Sequence, residues 1–247
     1  MIIPVFDLNS VILTSIALTT SLVLVLVVFG AYQQRALVTR WMYGLLLIAS
    51  GLGMYLISDM VTKHRPDYIA VVAAVCLVSV GMSVYVNGIR MLRGYRVYRY
   101  LSLVVVTTIL ASDVFLLNMH VSLRWALAIN ILVQLWLFAY GCRSLTGKGR
   151  DFIGHVFWIC CSLFAIVVLL LSGLAVKLML VTGQQILHFT DWVILSYILL
   201  LIVMVLTIVT SLLLLIMNVR TQAGLQAIAT LDGLTGVLNR RGLQDAA

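Results

Sequence analysis

Seven long apolar runs divide the chain: Val11–Ala31, Trp41–Ser58, Tyr68–Ile89, Leu101–Met119, Trp125–Cys142, Val156–Leu178 and Trp192–Met217. They hold 18 to 26 residues each, enough at roughly 1.5 Å per helical residue to cross a hydrocarbon core of roughly 30 Å. Lipid offers the backbone no hydrogen bonds, and alternation at period two is absent, so helices rather than a barrel must satisfy the peptide groups. A soluble enzyme is excluded: 63% of the residues are hydrophobic and 10% charged, against roughly 45–50% and 25% in soluble domains. The expected class is an all-α membrane protein with seven transmembrane helices.

The net charge of +8 gains meaning from where the sixteen Lys and Arg residues lie. With the N-terminus outside, the inner loops hold nine: Arg35, Arg40, Arg90, Arg93, Arg96, Arg99, Arg143, Lys148 and Arg150. The outer segments hold four, Lys63, Arg65, Arg124 and Lys177. That bias follows the positive-inside rule and, with seven spans, puts the C-terminus in the cytoplasm. Arg90 to Tyr100 interleaves arginine with tyrosine, a pattern expected to anchor in the headgroup layer and contact anionic lipid rather than nucleic acid. Met1–Ser10 carries no basic residue and the first run is too long for a cleavable leader, so span one is expected to remain as an anchor. Cys76, Cys160 and Cys161 fall inside runs and Cys142 at an inner end, where small buried hydrophobes are the default reading; Cys142 also lies where acylation occurs.

Ionisable groups inside a span are costly and mark candidate sites. Asp113 is the clear one, six residues before Met119. Its candidate partners are Arg124, Lys177, Asn130 and Gln134, which together would line a polar cavity open to the outside. A structural ion pair, an amide hydrogen bond that fixes helix packing, and a protonated carboxyl are the alternatives. His64, His120 and His188 fall one in each outer loop and are weak metal candidates, because no ligand-spacing motif joins them; no metal site is expected. Span seven has no lysine for a retinal Schiff base. The Gly51-x-Gly53 stretch has no counterpart in a second half, which disfavours a transporter built on repeats.

The apolar pattern of span seven continues without proline through Asn218 to Thr230, so one helix is expected to extend from the membrane into the cytoplasm. Leu225 with Ile228, and Ala227 with Leu231, form a narrow seam for a partner helix, too short to hold a dimer alone. Beyond it stands Leu231-Asp-Gly-Leu-Thr-Gly-Val-Leu-Asn-Arg-Arg-Gly-Leu243, where Asp232-Gly233 marks a turn and Gly236 a second bend. Leu234, Val237 and Leu238 give this stretch an apolar face, and Asp232 is placed to pair with Arg240 or Arg241.

The stretch resembles the opening of the GGDEF domain of diguanylate cyclases, Asp-x-Leu-Thr-Gly-Leu-x-Asn-Arg-Arg after a signalling helix. Asp232, Leu234, Thr235, Gly236, Asn239, Arg240 and Arg241 match, and Val237-Leu238 departs from Leu-x. The resemblance covers about a dozen residues and implies a three-part organisation: a seven-helix sensor or input region (1–217), a signalling-helix linker (218–231) and the start of a GGDEF domain (232–247). It assigns Asp232, Leu234, Thr235, Asn239, Arg240 and Arg241 to signal coupling at the opening turn. The family's catalytic residues lie downstream of this stretch, so the chain is expected to be inert by itself and to hold no cofactor.

For the full-length protein the resemblance implies condensation of two GTP to cyclic di-GMP with Mg, in a homodimer paired through the last helix. The expected setting is the bacterial inner (cytoplasmic) membrane, with lipids as partners, no nucleic acid, and a signal ligand that the sequence does not name. Two alternatives stay open. One is a membrane scaffold or transporter-like protein without cyclase activity; the other is a degenerate GGDEF domain fused to a phosphodiesterase, which a downstream Glu-Ala-Leu motif would mark.

Overall fold

The computed structural model describes residues 8–32, 35–61, 68–118, 123–146, 152–180 and 189–229. Among them the only regular structure is helical: α1 Leu8–Tyr32, α2 Arg35–Val61, α3 Tyr68–Leu92, α4 Leu101–Asn118, α5 Leu123–Leu145, α6 Phe152–Leu180 and α7 Phe189–Ala229. Each contains most or all of one apolar run, and neither proline, Pro4 or Pro66, falls within any of these ranges. α1, α2, α3, α5, α6 and α7 are long and apolar enough to cross a bilayer, while the apolar stretch of α4 is shorter, Leu101–Leu116. The chain is therefore a multi-pass helical membrane protein. It forms two compact units, Met1–Thr207 and Ile208–Ala247.

Lipid tails are as apolar as leucine, so helices pair in a membrane by close packing rather than by escape from water. The α2–α3 pair shows how. A methyl added at Gly81 would lie 2.5 Å from the Gly44 carbonyl oxygen, and one at Gly51 would lie 2.7 Å from that of Ala74. Gly44 and Gly51 are seven residues apart on α2, as are Ala74, Gly81 and Gly88 on α3, which keeps small residues on the facing seams of two antiparallel helices. Gly88 makes room for the indole of Trp41, which is fully buried and sits 6.5 Å from the ring of buried Tyr85.

The α5–α6 pair repeats the device once: a methyl at Gly141 would lie 2.7 Å from the Phe164 ring, and Phe164 meets Phe138 edge to face at 5.3 Å. Farther along, Ala128 and Leu174 are buried together, with Ile131 of α5 and Ile198 of α7 packed against them.

α4 is held by one stripe. Leu101, Val105, Ile109, Asp113 and Leu116 are buried, whereas Leu103, Val104, Leu110, Val114 and Phe115 are exposed and apolar, as a lipid-facing surface should be. Hydroxyls on exposed faces are satisfied locally: Thr107 donates to the Leu103 carbonyl at 3.0 Å and Thr108 to that of Val104 at 2.8 Å.

Candidate functional site: a polar seam on α3

Cys76, Ser79, Ser83, Asn87 and Arg90 stand at intervals of three, four, four and three residues on α3, which puts them on one helical face. Ser79, Ser83, Asn87 and Arg90 each meet a polar group from another element or from the loop after α3, and Asp113 of α4 lies in the neighbourhood of Cys76. The Gln134 amide of α5 donates to the Ser79 hydroxyl at 2.5 Å, and Ser79 donates to the Val75 carbonyl of its own helix at 2.7 Å. Ser83 donates to the Val80 carbonyl at 2.8 Å, so in the 2.6 Å bond between Ser83 and Ser102 of α4 the Ser102 hydroxyl is the donor.

Asn87 acts on the backbone. Its Nδ2 donates to the Tyr98 carbonyl at 3.1 Å, and its Oδ1 accepts from the Tyr98 N–H at 3.3 Å. One buried amide thus stands in for a missing strand partner and pins the α3–α4 connection. The connection can return to it because Gly94, two residues past the end of α3, turns the chain back. With φ +76°, Gly94 lets its own N–H reach the Met91 carbonyl at 3.0 Å and the Tyr95 N–H reach that of Arg90 at 2.9 Å, a Schellman ending that a β-carbon would strain.

The turn lays tyrosines back on Arg90. Its guanidinium carbon lies 4.8 Å from the Tyr98 ring centroid, 5.0 Å from Tyr140 and 5.6 Å from Tyr95. Nε donates to the Arg96 carbonyl at 3.0 Å and Nη1 to the Ser144 hydroxyl at 3.4 Å. Arg93 stacks over Phe157 of α6 at 4.3 Å and donates to the Thr146 carbonyl at 2.9 Å. Together they clamp the ends of α3, α5 and α6. The expected lipid anchor is thus divided: Arg90 and Arg93 are spent on aromatic rings and carbonyls of the protein, and Arg96, Arg99 and Tyr100 remain exposed.

The structure brings part of the expected outer cluster into this seam. Asp113 is 2% exposed and Asn130 7%, both facing the protein interior. Asn130 and Gln134 are one turn apart on α5 and so share the face turned to α3, where Gln134 pairs with Ser79 rather than with Asp113. Lys177 is exposed near the end of α6. The Arg124 side chain lies outside the described residues, as do His64, His120 and His188. Asp232, Leu234, Thr235, Asn239, Arg240 and Arg241 also fall outside them. Among the described residues no three His, Cys or acidic side chains gather where they would hold a metal ion. Cys142 meets the thiol of Cys161 on α6.

Chemically the seam offers hydroxyls, amides and one carboxylate, a set that fixes helices against one another. Interhelical hydrogen bonds in membranes average only about 0.6 kcal/mol each, so the bonds from Ser79, Ser83 and Asn87 contribute more to rotation and register than to strength. Ser79, Ser83, Asn87 and Ser102 do not stand out in sequence, because serine and asparagine are ordinary in such helices. The spacing of Ser79, Ser83 and Asn87 on α3 is the available signal, and Ser102 on α4 carries none.

No family model, curated protein or solved structure matches this chain.

Proposed function

We propose that the chain is the membrane input region of a diguanylate cyclase, passing a membrane or extracytoplasmic signal to a cytoplasmic GGDEF domain. The observation that carries this reading is the string Asp232-x-Leu-Thr-Gly-x-x-Asn-Arg-Arg241 immediately after a long apolar helix. α7 runs on to Ala229, and Gln222–Gln226 on its last turns are exposed, which leaves surface for a second copy of the same helix. In this reading α4 also spans the membrane and brings the count to seven: its 18 residues reach roughly 27 Å as a helix. The N-terminus is then outside and the tail in the cytoplasm, where GTP and Mg are available. Two subunits face each other through their last helices, and a change in how those helices pair decides whether two GTP-loaded domains meet.

Two measurements test the proposal. A reporter enzyme that is active only outside the cytoplasm, joined after Ala247, is expected to be silent, and the same reporter ahead of Met1 active; activity at the tail overturns the seven-span topology. In the complete gene product, a flexible glycine-serine insertion after Ala229 is expected to lower cyclic di-GMP output at least tenfold or make it insensitive to the membrane region. Unchanged output from the interrupted protein overturns the coupling role, and no cyclic di-GMP from the uninterrupted one overturns the family reading.

A further inference from the structure

Two thiols on different helices touch. Cys142 Sγ of α5 lies 2.8 Å from Cys161 Sγ of α6, and it also faces the Cys161 carbonyl at 3.6 Å. The approach is built into the helix pair, since Gly141 lets the Phe164 ring come against the α5 backbone one residue before Cys142 and one turn beyond Cys161. No disulfide joins any of the four cysteines. Cys160 is next in sequence to Cys161 but turned roughly 100° around the helix, and Cys76 is on α3.

We propose that Cys142 and Cys161 are a modification site: a dithiol that a small neutral peroxide oxidises to a disulfide stapling α5 to α6. The surroundings select the oxidant. Cys161 is buried and Cys142 half-buried at an apolar helix contact, so an oxidant that reaches them must be small and uncharged. The step balances. The more accessible Cys142 sulfur attacks one peroxide oxygen; an S–O bond forms, the O–O bond breaks, and the departing oxygen leaves as water with the thiol proton. Cys161 sulfur then attacks the sulfenic sulfur, forming S–S and breaking S–O, and a second water leaves. Two thiols lose two electrons and hydrogen peroxide gains them. The closeness of the sulfurs makes the second attack faster than further oxidation of the first product, and thiol reductant reverses the bond. The inference is independent of what the tail couples to.

The test uses the whole chain in phospholipid vesicles, treated with hydrogen peroxide, blocked with an alkylating maleimide and mapped by peptide mass spectrometry. The expected result is a Cys142–Cys161 linked pair within one chain, lost on treatment with dithiothreitol and retained in Cys160→Ala. The oxidised form is also expected to unfold several degrees higher than the reduced one. Recovery of both sites as maleimide adducts after peroxide, sulfinic acid at Cys142, or linkage through Cys160 or Cys76 overturns the proposal. Because the mapping is done first on the unsubstituted protein, a variant that fails to fold does not obscure the answer.

Discussion

Leucine in place of Gly81 is expected to separate α2 from α3 and cost about 3 kcal/mol or more, at the upper end of what overpacking does. The first atom added at this position would already stand 2.5 Å from the Gly44 carbonyl oxygen and 2.8 Å from an Ile48 side-chain carbon. A side chain can turn aside, but the carbonyl is fixed by its own helix, so the whole backbone must move. Even Gly81→Ala is expected to lower the unfolding midpoint measurably. Gly173→Leu is the control: nothing lies within 4 Å of a methyl there, and the position is exposed. In a denaturant or thermal titration in detergent, Gly81→Leu should lose most of the folded fraction and Gly173→Leu none. Equal effects would show that α2 and α3 do not rely on this seam.

Arg90→Ala is expected to cost about 3 kcal/mol, from lost cation–π contacts worth roughly 0.5–2 kcal/mol each and charged hydrogen bonds to Ser144 and the Arg96 carbonyl. Arg90→Lys should recover less than half. An ammonium keeps the charge but cannot stack flat among Tyr95, Tyr98 and Tyr140 while donating in two directions. Trypsin offers a local readout, because Arg96 and Arg99 are exposed in the connection that the clamp and Asn87 hold down. Both variants are expected to be cut there faster than the parent. If Arg90 only attracted anionic headgroups, lysine would serve as well and the cleavage rate would not change.

The two variants probe features of different visibility in the sequence. Helix positions were plain, because a run of apolar residues long enough for a bilayer admits little besides a helix. The run from Leu101 is helical through Asn118, and the expected continuation of the last run is helical through Ala229, in both cases as far as the described residues go. Partners were less legible. Asp113 invited Gln134 as a neighbour, yet the amide goes to Ser79, since helix rotation is set by packing along every contact and not by the most polar residue. Arg90 and Arg93 read as lipid anchors because a loop sequence does not disclose that Gly94 turns the chain back on itself. The seven-residue spacing of Gly44 with Gly51 and of Gly81 with Gly88 was present in the letters, but glycines in apolar runs gain meaning only once two helices are known to face each other.

Asp113 also constrains how the molecule is made. A helix with a buried carboxyl on its last turns partitions into hydrocarbon less well alone, by up to roughly 2.5–3.5 kcal/mol were the group at the centre of the bilayer and less toward its edge. The buried stripe of α4 turns that group toward α3, which precedes it in the chain. α4 is therefore expected to enter a bilayer less efficiently alone than beside α3, which insertion assays on chains ending after α3 and after α4 would check.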